Sequence, residues 1–392
     1  MNFDLTARVA DGVAETPLRA LPWVDEEPTE CRCEPAFREP VGTGVGDRVV
    51  LDVDADDCPG RGDLAASPDC LATAVRALAD RDADVIRTRH RGRERSYADD
   101  AADLIVAAGR FRDRIEFRED RLAERVTRDP IAAAREAAGR AGAASRIADE
   151  TGLLAAVEAV GGDASGAGGH EETERFLRAH VGPAAATARV AAAPPPKAML
   201  VDRWTLPTGA TVRLYEGDGS LRTYHLTPPT ADLDADAVAT LAAARDRLLA
   251  DPEGGERAPG RAVRAAATDD DPVADLAEVL RRHTHGYGVL EHVFADERVS
   301  DATVTAPVAE NPLRVVLDGE RCRTNVRLPP EGAATLASRL RRSSGRAFSR
   351  ATPTLDATIE SESGRVRVAA TTSPASDGLS FTFRRGDPEA WT

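Results

Sequence analysis

Residues 313–342 read LRVVLDGERCRTNVRLPPEGAATLASRLRR, and this stretch decides the fold of the C-terminal part of the chain. Leu313–Leu317 is an alternating apolar run, and the Asp318-Gly319 pair after it is a strong signal for a tight hairpin loop. Arg321–Leu328 can therefore pair back as a second strand. Pro330–Arg342 is predicted to be a helix, because apolar residues recur on one face at helical spacing. These residues are Ala333, Leu336, Ala337 and Leu340.

The flanking residues extend this unit into a small sheet. Alternating apolar residues predict further strands at 302–306, 365–370 and 379–383. A sheet with a helix packed across it is an α+β arrangement. For the whole chain we predict the α+β class, with an N-terminal α/β module that contains a cysteine cluster, an Ala-rich helical linker, and a C-terminal small antiparallel sheet domain with packed helices.

Several short motifs follow one another in this region. In order they are YGVLE, VSDATVTAP, NPLRVVLDGE, TNVRL, SGRAFSRATPTLDA, RVRVAATTSPASDG and FTFRR. Together they resemble the N-terminal domain of the type II/IV secretion ATPase family, the motors of secretion systems, type IV pili and archaella. The resemblance implies the regulatory and assembly part of a hexameric motor. In that family this part packs on a RecA-like motor domain and couples nucleotide state to a polytopic membrane platform protein.

The family's motor domain opens with a phosphate loop, G-x-x-x-x-G-K-[ST], whose lysine reaches the β- and γ-phosphates. The present sequence has a single lysine, Lys197, which follows Pro194-Pro195-Pro196 and not a glycine turn. The resemblance implies that the sequence ends about where the motor domain would begin. We therefore expect no ATP hydrolysis from this chain alone, and ATP with Mg²⁺ to bind only together with a separate motor domain.

The resemblance also implies a role for arginines of the C-terminal domain. In the family, such arginines lean over the nucleotide at the domain cleft and supply positive charge to its phosphates. By motif position the counterparts are Arg365, Arg384 and Arg385, with Arg346 as a further candidate. The alternative is that they are ordinary surface arginines in a chain that uses almost no lysine.

The composition indicates the environment in which the chain works. The chain has 392 residues, a formal net charge of −15 and 4% aromatic residues. An acidic, lysine-poor surface keeps a protein hydrated at high salt and is typical of a haloarchaeal cytosolic protein. No apolar run reaches the roughly 18 residues that a transmembrane helix requires. We therefore expect a cytoplasmic protein, and the resemblance implies that it is peripheral to the membrane.

Four cysteines lie close together near the N-terminus: Cys31, Cys33, Cys58 and Cys70. Cytosolic chains rarely keep disulfides, so a clustered tetrad favours a metal site, and four thiolates suit a tetrahedral structural zinc ion. The spacing departs from the usual C-x₂-C…C-x₂-C pattern. Free buried thiols and a disulfide therefore remain as alternatives to zinc.

The most basic stretch of the chain, RTRHRGRERSY at 87–97, is predicted to be a hairpin. It is either a nucleic-acid contact or an exposed, salt-bridged hairpin. At molar salt the screening length is about 3 Å, which weakens binding that depends on phosphate neutralisation. We therefore expect a salt-bridged hairpin and no nucleic-acid partner.

The domain organisation follows from shifts in composition. We predict a flexible tail at 1–30, a Cys-containing β-α-β-β-α module at 31–112, a helical segment with a Gly/Pro-rich linker at 113–194, a β-rich subdomain with a closing helix at 195–250, a disordered acidic linker at 251–271, and the secretion-ATPase-like domain at 272–392.

Two functional hypotheses follow. The first is a non-catalytic half of a secretion ATPase, and the second is a zinc-binding adaptor or interaction protein derived from such an ATPase. The sequence has no nucleophile elbow, no H-E-x-x-H motif and no convincing pair of catalytic carboxylates. It therefore offers no site for an enzyme of another class.

Overall fold

The computed structural model describes residues 30–38, 48–160, 172–173, 176–184, 186–195, 197–217, 219–250, 255, 257–308 and 310–386. Of the predicted tail at 1–30, only Glu30 falls within these ranges. The glycine-rich part of the predicted linker, residues 161–171, lies outside them. From Cys31 onward the chain forms one unit.

Helices and strands alternate irregularly along the described chain. The strands are β1 (Glu34–Arg38), β2 (Val50–Asp54), β3 (Val85–His90), β4 (Arg93–Ala98), β5 (His180–Pro183), β6 (Arg189–Ala191), β7 (Met199–Thr205), β8 (Thr211–Glu216), β9 (Thr223–Thr227), β10 (Val299–Val304), β11 (Arg314–Leu317), β12 (Glu320–Thr324), β13 (Val326–Arg327), β14 (Thr354–Ser361), β15 (Gly364–Thr371) and β16 (Ser380–Arg385). The helices are α1 (Pro68–Ala77), α2 (Asp100–Ile115), α3 (Asp120–Arg128), α4 (Pro130–Ala138), α5 (Ala143–Glu150), α6 (Leu153–Ala159), α7 (Ala235–Ala250), α8 (Ala258–Ala266), α9 (Val273–Thr284), α10 (Leu290–Phe294) and α11 (Pro330–Ser344), with a 3₁₀ turn at Pro229–Ala231. The α+β class predicted from the sequence is confirmed.

The first sheet has the strand order β1-β2-β3-β4-β5-β6-β13 within the described residues. β2 and β3 are parallel, joined through α1, and β3 and β4 form an antiparallel hairpin. The predicted β-α-β-β-α order is therefore present as β2-α1-β3-β4-α2. The core beneath this sheet continues into α3 to α6, with Leu122, Ile131 and Val157 buried in the same cluster as Leu51 and Ile86. The apolar core thus crosses the boundary predicted at residue 112.

The second sheet has the order β14-β15-β16-β10-β11-β12-β9-β8-β7 within the described residues. The predicted β11–β12 hairpin is present, with Asp318 (φ 50°) and Gly319 (φ 84°) both in the left-handed region that its tight turn requires. One face, here called the inner face, packs against α11 through Ala333, Leu336 and Leu340. Because side chains alternate along a strand, the polar residues project from the opposite, outer face.

Asn325 joins the two sheets. Thr324 pairs with β9 in the second sheet, whereas Val326 pairs with β6 in the first, so the strand changes sheets at Asn325. The buried Asn325 amide donates to the carbonyls of Ala191 (2.8 Å) and Leu226 (2.9 Å), and its oxygen accepts the Leu226 N–H (2.8 Å). The side chain therefore replaces the ladder hydrogen bonds that the strand gives up where it changes sheets.

Two secondary-structure predictions need correction. The region 251–271 is not a disordered linker throughout, because α8 lies within it and buries Ala262 and Val263 against α7 and α9. The region 113–194 is not only helix and linker, because β5 and β6 extend the first sheet there. The long edge strand β14 is an addition that the sequence reading missed.

Candidate metal centre and arginine face

Three separate segments bring the four N-terminal cysteines together. Cys31 and Cys33 lie just before β1, Cys58 lies in the turn after β2, and Cys70 lies in the first turn of α1. The α1 helix begins after Ser67, whose hydroxyl accepts the Cys70 N–H and fixes that first turn. Strand pairing of β1 with β2 then brings the first two cysteines beside the third.

The sulfur atoms form a compact group. Sγ of Cys70 lies 3.9 Å from Cys31, 3.6 Å from Cys33 and 3.6 Å from Cys58, and the Cys58–Cys31 distance is 3.7 Å. All four sulfurs lie within 4.8 Å of one another. A tetrahedron with metal–sulfur bonds of about 2.3 Å has sulfur–sulfur edges of about 3.8 Å. The four measured edges have the length that one tetrahedral ion requires.

Hydrogen-bond donors outside the group point at two of the sulfurs. The Arg32 N–H points at Cys58 Sγ (3.4 Å), and the Thr73 hydroxyl donates to Cys31 Sγ (3.2 Å). A hydrogen bond from Cys33 lowers the pKa of Cys70 to about 5, while the same bond and burial raise the pKa of Cys33. Burial also raises the pKa of Cys31, so Cys70 is the one of these three thiols whose surroundings favour the thiolate.

One glycine is required by the close packing of this group. A Cβ at Gly60 would lie 2.4 Å from Cys70 Sγ. Only a residue without a side chain can therefore occupy this position in the Cys-Pro-Gly turn, unless the sulfur moves.

The sulfurs do not form a disulfide in this structure. All five cysteines are free, and the shortest of the four measured distances far exceeds an S–S bond of about 2.05 Å. The group contributes four ligands and is mostly buried, with only Cys31 partly exposed. A set of this kind completes a metal's coordination and leaves no position for a substrate.

Two of the four predicted phosphate-facing arginines share the outer face of the second sheet. Arg365 on β15 pairs with Glu360 (3.0 Å), and Arg384 on β16 pairs with Asp301 (2.7 Å). Their side chains are 77% and 70% exposed, so both guanidinium groups are accessible to a partner.

The other two candidates lie elsewhere. Arg385 donates from Nη2 to the Phe294 carbonyl and so turns away from the outer face. Arg346 lies in the loop after α11, where its charge acts on Asp356. The pKa of Asp356 is held low mainly by the hydrogen bond from Arg367 and, more weakly, by the charge of Arg346.

The sequence reading passed over Arg367. It lies directly opposite Arg384 in the β15–β16 ladder and is therefore on the same face. The alternation Arg365-Val-Arg367-Val could have identified it, because residues two apart on a strand share a face.

The remaining polar motifs have structural contacts. In the basic hairpin, Arg87 pairs with Glu331 (2.8 Å) and Arg95 with Asp63 (3.1 Å), as expected of a salt-bridged hairpin. Burial lowers the pKa of both His283 and His292 to about 3, which keeps them neutral. Among the described residues, the four-cysteine group is the one set with metal-site geometry.

No family model matches the chain, and no curated protein matches it. Within the described ranges, none of the helices combines the length and the hydrophobicity that crossing a bilayer requires.

Proposed function

We propose that Cys31, Cys33, Cys58 and Cys70 hold one structural zinc ion. We further propose that the chain acts through protein contacts, as the N-terminal regulatory and assembly part of a secretion ATPase. The observation that supports the zinc site is the set of sulfur–sulfur distances of 3.6–3.9 Å, which match the edges of one tetrahedron.

The zinc ion would act as a structural crosslink. It would tie the segment before β1 to the turn after β2 and to the start of α1. A tetrahedral four-sulfur set also suits a single iron ion. Zinc is the better match for a purely structural role, because it has no redox chemistry and no directional d-electron preference.

The family proposal rests on the ordered motifs between YGVLE and FTFRR. These motifs fall on the second sheet and its helices, from α10 through β16, except that TNVRL continues into β13 of the first sheet. A chain with Lys197 as its single lysine, at a site preceded by prolines, has no phosphate loop of its own. In this proposal the partners are a RecA-like motor domain, other subunits of a hexamer and a membrane platform protein, at the cytoplasmic side of the membrane.

The exposed arginines of the outer face are suited to the role that the family implies. The ion pairs of Arg365, Arg367 and Arg384 are solvent-exposed. Such pairs contribute only about 0–1 kcal/mol each, so a nucleotide phosphate can displace the carboxylate at little cost. Arg365 is the most exposed of the three and would make the largest contribution.

The decisive experiment measures ATP hydrolysis by a secretion ATPase motor domain with and without this chain. We expect no hydrolysis from the chain alone, stimulation of the motor domain by the chain, and loss of that stimulation in Arg365→Ala. Arg341→Ala, an exposed arginine on α11, is the control and should stimulate normally. Hydrolysis by the chain alone would refute the proposed non-catalytic role.

The second candidate is a zinc-stabilised adaptor without a motor partner. The buried four-cysteine group favours it, because a structural metal site supports an interaction module without any nucleotide chemistry. A chain that retains zinc but leaves the motor domain's hydrolysis unchanged would support this second function over the first.

A further inference from the structure

Three exposed arginines lie together on two neighbouring strands of the outer face of the second sheet. Arg314 on β11 and Arg321 and Arg323 on β12 are exposed. Among the described residues, no carboxylate lies within ion-pair distance of any of the three. We call Arg314, Arg321 and Arg323 the arginine patch. It lies on different strands from Arg365, Arg367 and Arg384, and it does not depend on the nucleotide-facing role proposed above.

Arginine and acid side chains next to the patch make close ion pairs with each other and leave the patch without a carboxylate partner in the described part of the chain. Arg298, at the start of β10, lies 2.9 Å from Asp202 and 2.8 Å from Asp318. The acid next to the patch in sequence, Glu320, is paired with Arg222 at 3.2 Å. The chain carries 66 acidic residues against 51 basic ones, so carboxylates are not scarce.

The strand register makes the patch electrostatically unfavourable for the isolated chain. Arg314 lies directly opposite Arg323 in the β11–β12 ladder, and Arg321 lies two residues from Arg323 on the same face. Like charges directly opposite each other on paired strands destabilise a sheet. A concentration of positive charge that the chain itself does not neutralise indicates an anionic partner.

The neighbours of the patch leave room for that partner. Thr303 lies opposite Arg314 on β10, and Thr223 lies beside Arg323 on β9. Both are small side chains. A ligand can therefore approach the guanidinium groups along the sheet surface.

We propose that the arginine patch docks an extended acidic segment of a partner protein. Residues two apart on a strand are separated by about 6.6–6.8 Å, which is the spacing of Arg321 and Arg323 along β12. An extended partner with Asp or Glu at alternate positions presents carboxylates at that same spacing. Each guanidinium can then make the bidentate contact that arginine forms with a carboxylate.

A protein partner fits this surface better than a nucleic acid. Single-stranded nucleic acids bind through aromatic side chains on which the bases stack, together with a charged groove. The outer-face residues of β10, β11 and β12 are Asp301, Thr303, Arg314, Val316, Arg321 and Arg323. None of these described residues is aromatic.

The test measures binding of the full chain to a labelled synthetic peptide that alternates Glu and Thr, by fluorescence anisotropy. A peptide of the same composition with its glutamates in one block is the spacing control, and an oligothymidylate of equal charge tests nucleic acid. Arg314→Gln/Arg321→Gln/Arg323→Gln removes the patch. Arg341→Gln/Arg342→Gln/Arg350→Gln removes the same charge from exposed positions on and after α11.

We expect the patch variant to bind the alternating peptide about tenfold more weakly, and the control variant to bind within about twofold of the unmodified chain. The patch variant should unfold at the same or a higher temperature, because its like-charge pair is gone. The proposal would be overturned if both variants lost the same affinity for the alternating peptide, or if the chain did not prefer this peptide to the block peptide. Tighter binding of oligothymidylate through the patch would also overturn it. Arg323→Gln alone provides the same comparison if the triple variant does not fold.

Discussion

Replacing Asn325 by alanine tests the junction between the two sheets. The substitution removes three hydrogen bonds and leaves the Leu226 N–H and the carbonyls of Leu226 and Ala191 without their side-chain partner. Asn325 is only 7% exposed, so water reaches these groups poorly. A buried polar group that loses its partner costs about 1–3 kcal/mol. Three such groups at the low end of this range give an expected loss of about 3–4 kcal/mol in the free energy of unfolding.

The assay is guanidinium chloride unfolding followed by far-UV circular dichroism, with Asn311→Ala as the matched control. The Asn311 amide also donates to two carbonyls, those of Ala306 and Pro307, at 3.2 Å each, but it is partly exposed. Its loss should cost less than about 1 kcal/mol, because water can replace the bonds. If Asn325→Ala costs no more than Asn311→Ala, the Asn325 side chain does not stabilise the junction between the two sheets.

Asn325→Asp tests the direction in which stability changes with pH. The carboxylate keeps an acceptor for the Leu226 N–H but turns an oxygen toward the carbonyls of Ala191 and Leu226, so its pKa in the folded chain should lie above that of an exposed aspartate. A raised folded pKa means that stability is retained below the unfolded pKa of about 3.9 and is lost as the pH rises through the folded value. The deficit relative to the unmodified chain should therefore grow from about pH 4 upward. A deficit that shrinks as the pH rises would refute the hydrogen-bond assignment.

Two further predictions concern buried charge and protonation. Arg189→Met should cost about 2 kcal/mol in urea unfolding, because the buried Glu94 loses its 2.8 Å partner and keeps only the longer contacts to Arg87 (3.5 Å) and Arg89 (3.4 Å). Adding Glu94→Gln should restore part of that loss, and a double variant less stable than the single one would contradict this. His292 has a folded pKa of about 3 because it is buried, so below about pH 6.5 the unfolded chain takes up a proton that the folded chain does not. As the pH decreases below about 6.5, the free energy of unfolding should therefore fall by about 1.4 kcal/mol per pH unit because of this histidine. His292→Gln should make this dependence on pH less steep, and equal slopes in the variant and the unmodified chain would contradict the prediction.

Local signals explain how much of the fold could be predicted. The Asp318-Gly319 turn and the alternating residues of β11 and β12 are sufficient to identify a hairpin, because turn geometry fixes the register of two adjacent strands. The short β6 gives no such signal. Its partner β13 follows in the chain only after β7 to β12, so the pairing depends on tertiary contacts.

The missed helix α8 has a different cause. Pro259 and Gly260 resemble a helix break, and the acidic surroundings suggest disorder. Proline is well tolerated in the first turn of a helix, where its missing N–H has no intrahelical partner. The buried Val263 then supplies the packing that stabilises the helix.

The four-cysteine group could be predicted from the sequence as a candidate metal site, but its geometry could not. Four cysteines in a chain of cytosolic composition favour a metal, yet the twelve-residue separation of Cys58 and Cys70 matches no standard spacing. The turn after β2 and the first turn of α1 bring these two sulfurs to 3.6 Å. Only the three-dimensional structure shows that proximity.

The zinc content of the purified full chain tests the central claim most directly. Mass spectrometry under native conditions should give one zinc ion per chain, and X-ray absorption should give four sulfur neighbours at about 2.3 Å. Cys70→Ser should lose the metal, and Cys322→Ser, which removes the cysteine on β12 outside the group, should retain it. A folded chain that takes up no metal when zinc is supplied, or that binds zinc through nitrogen or oxygen, would contradict the proposed site.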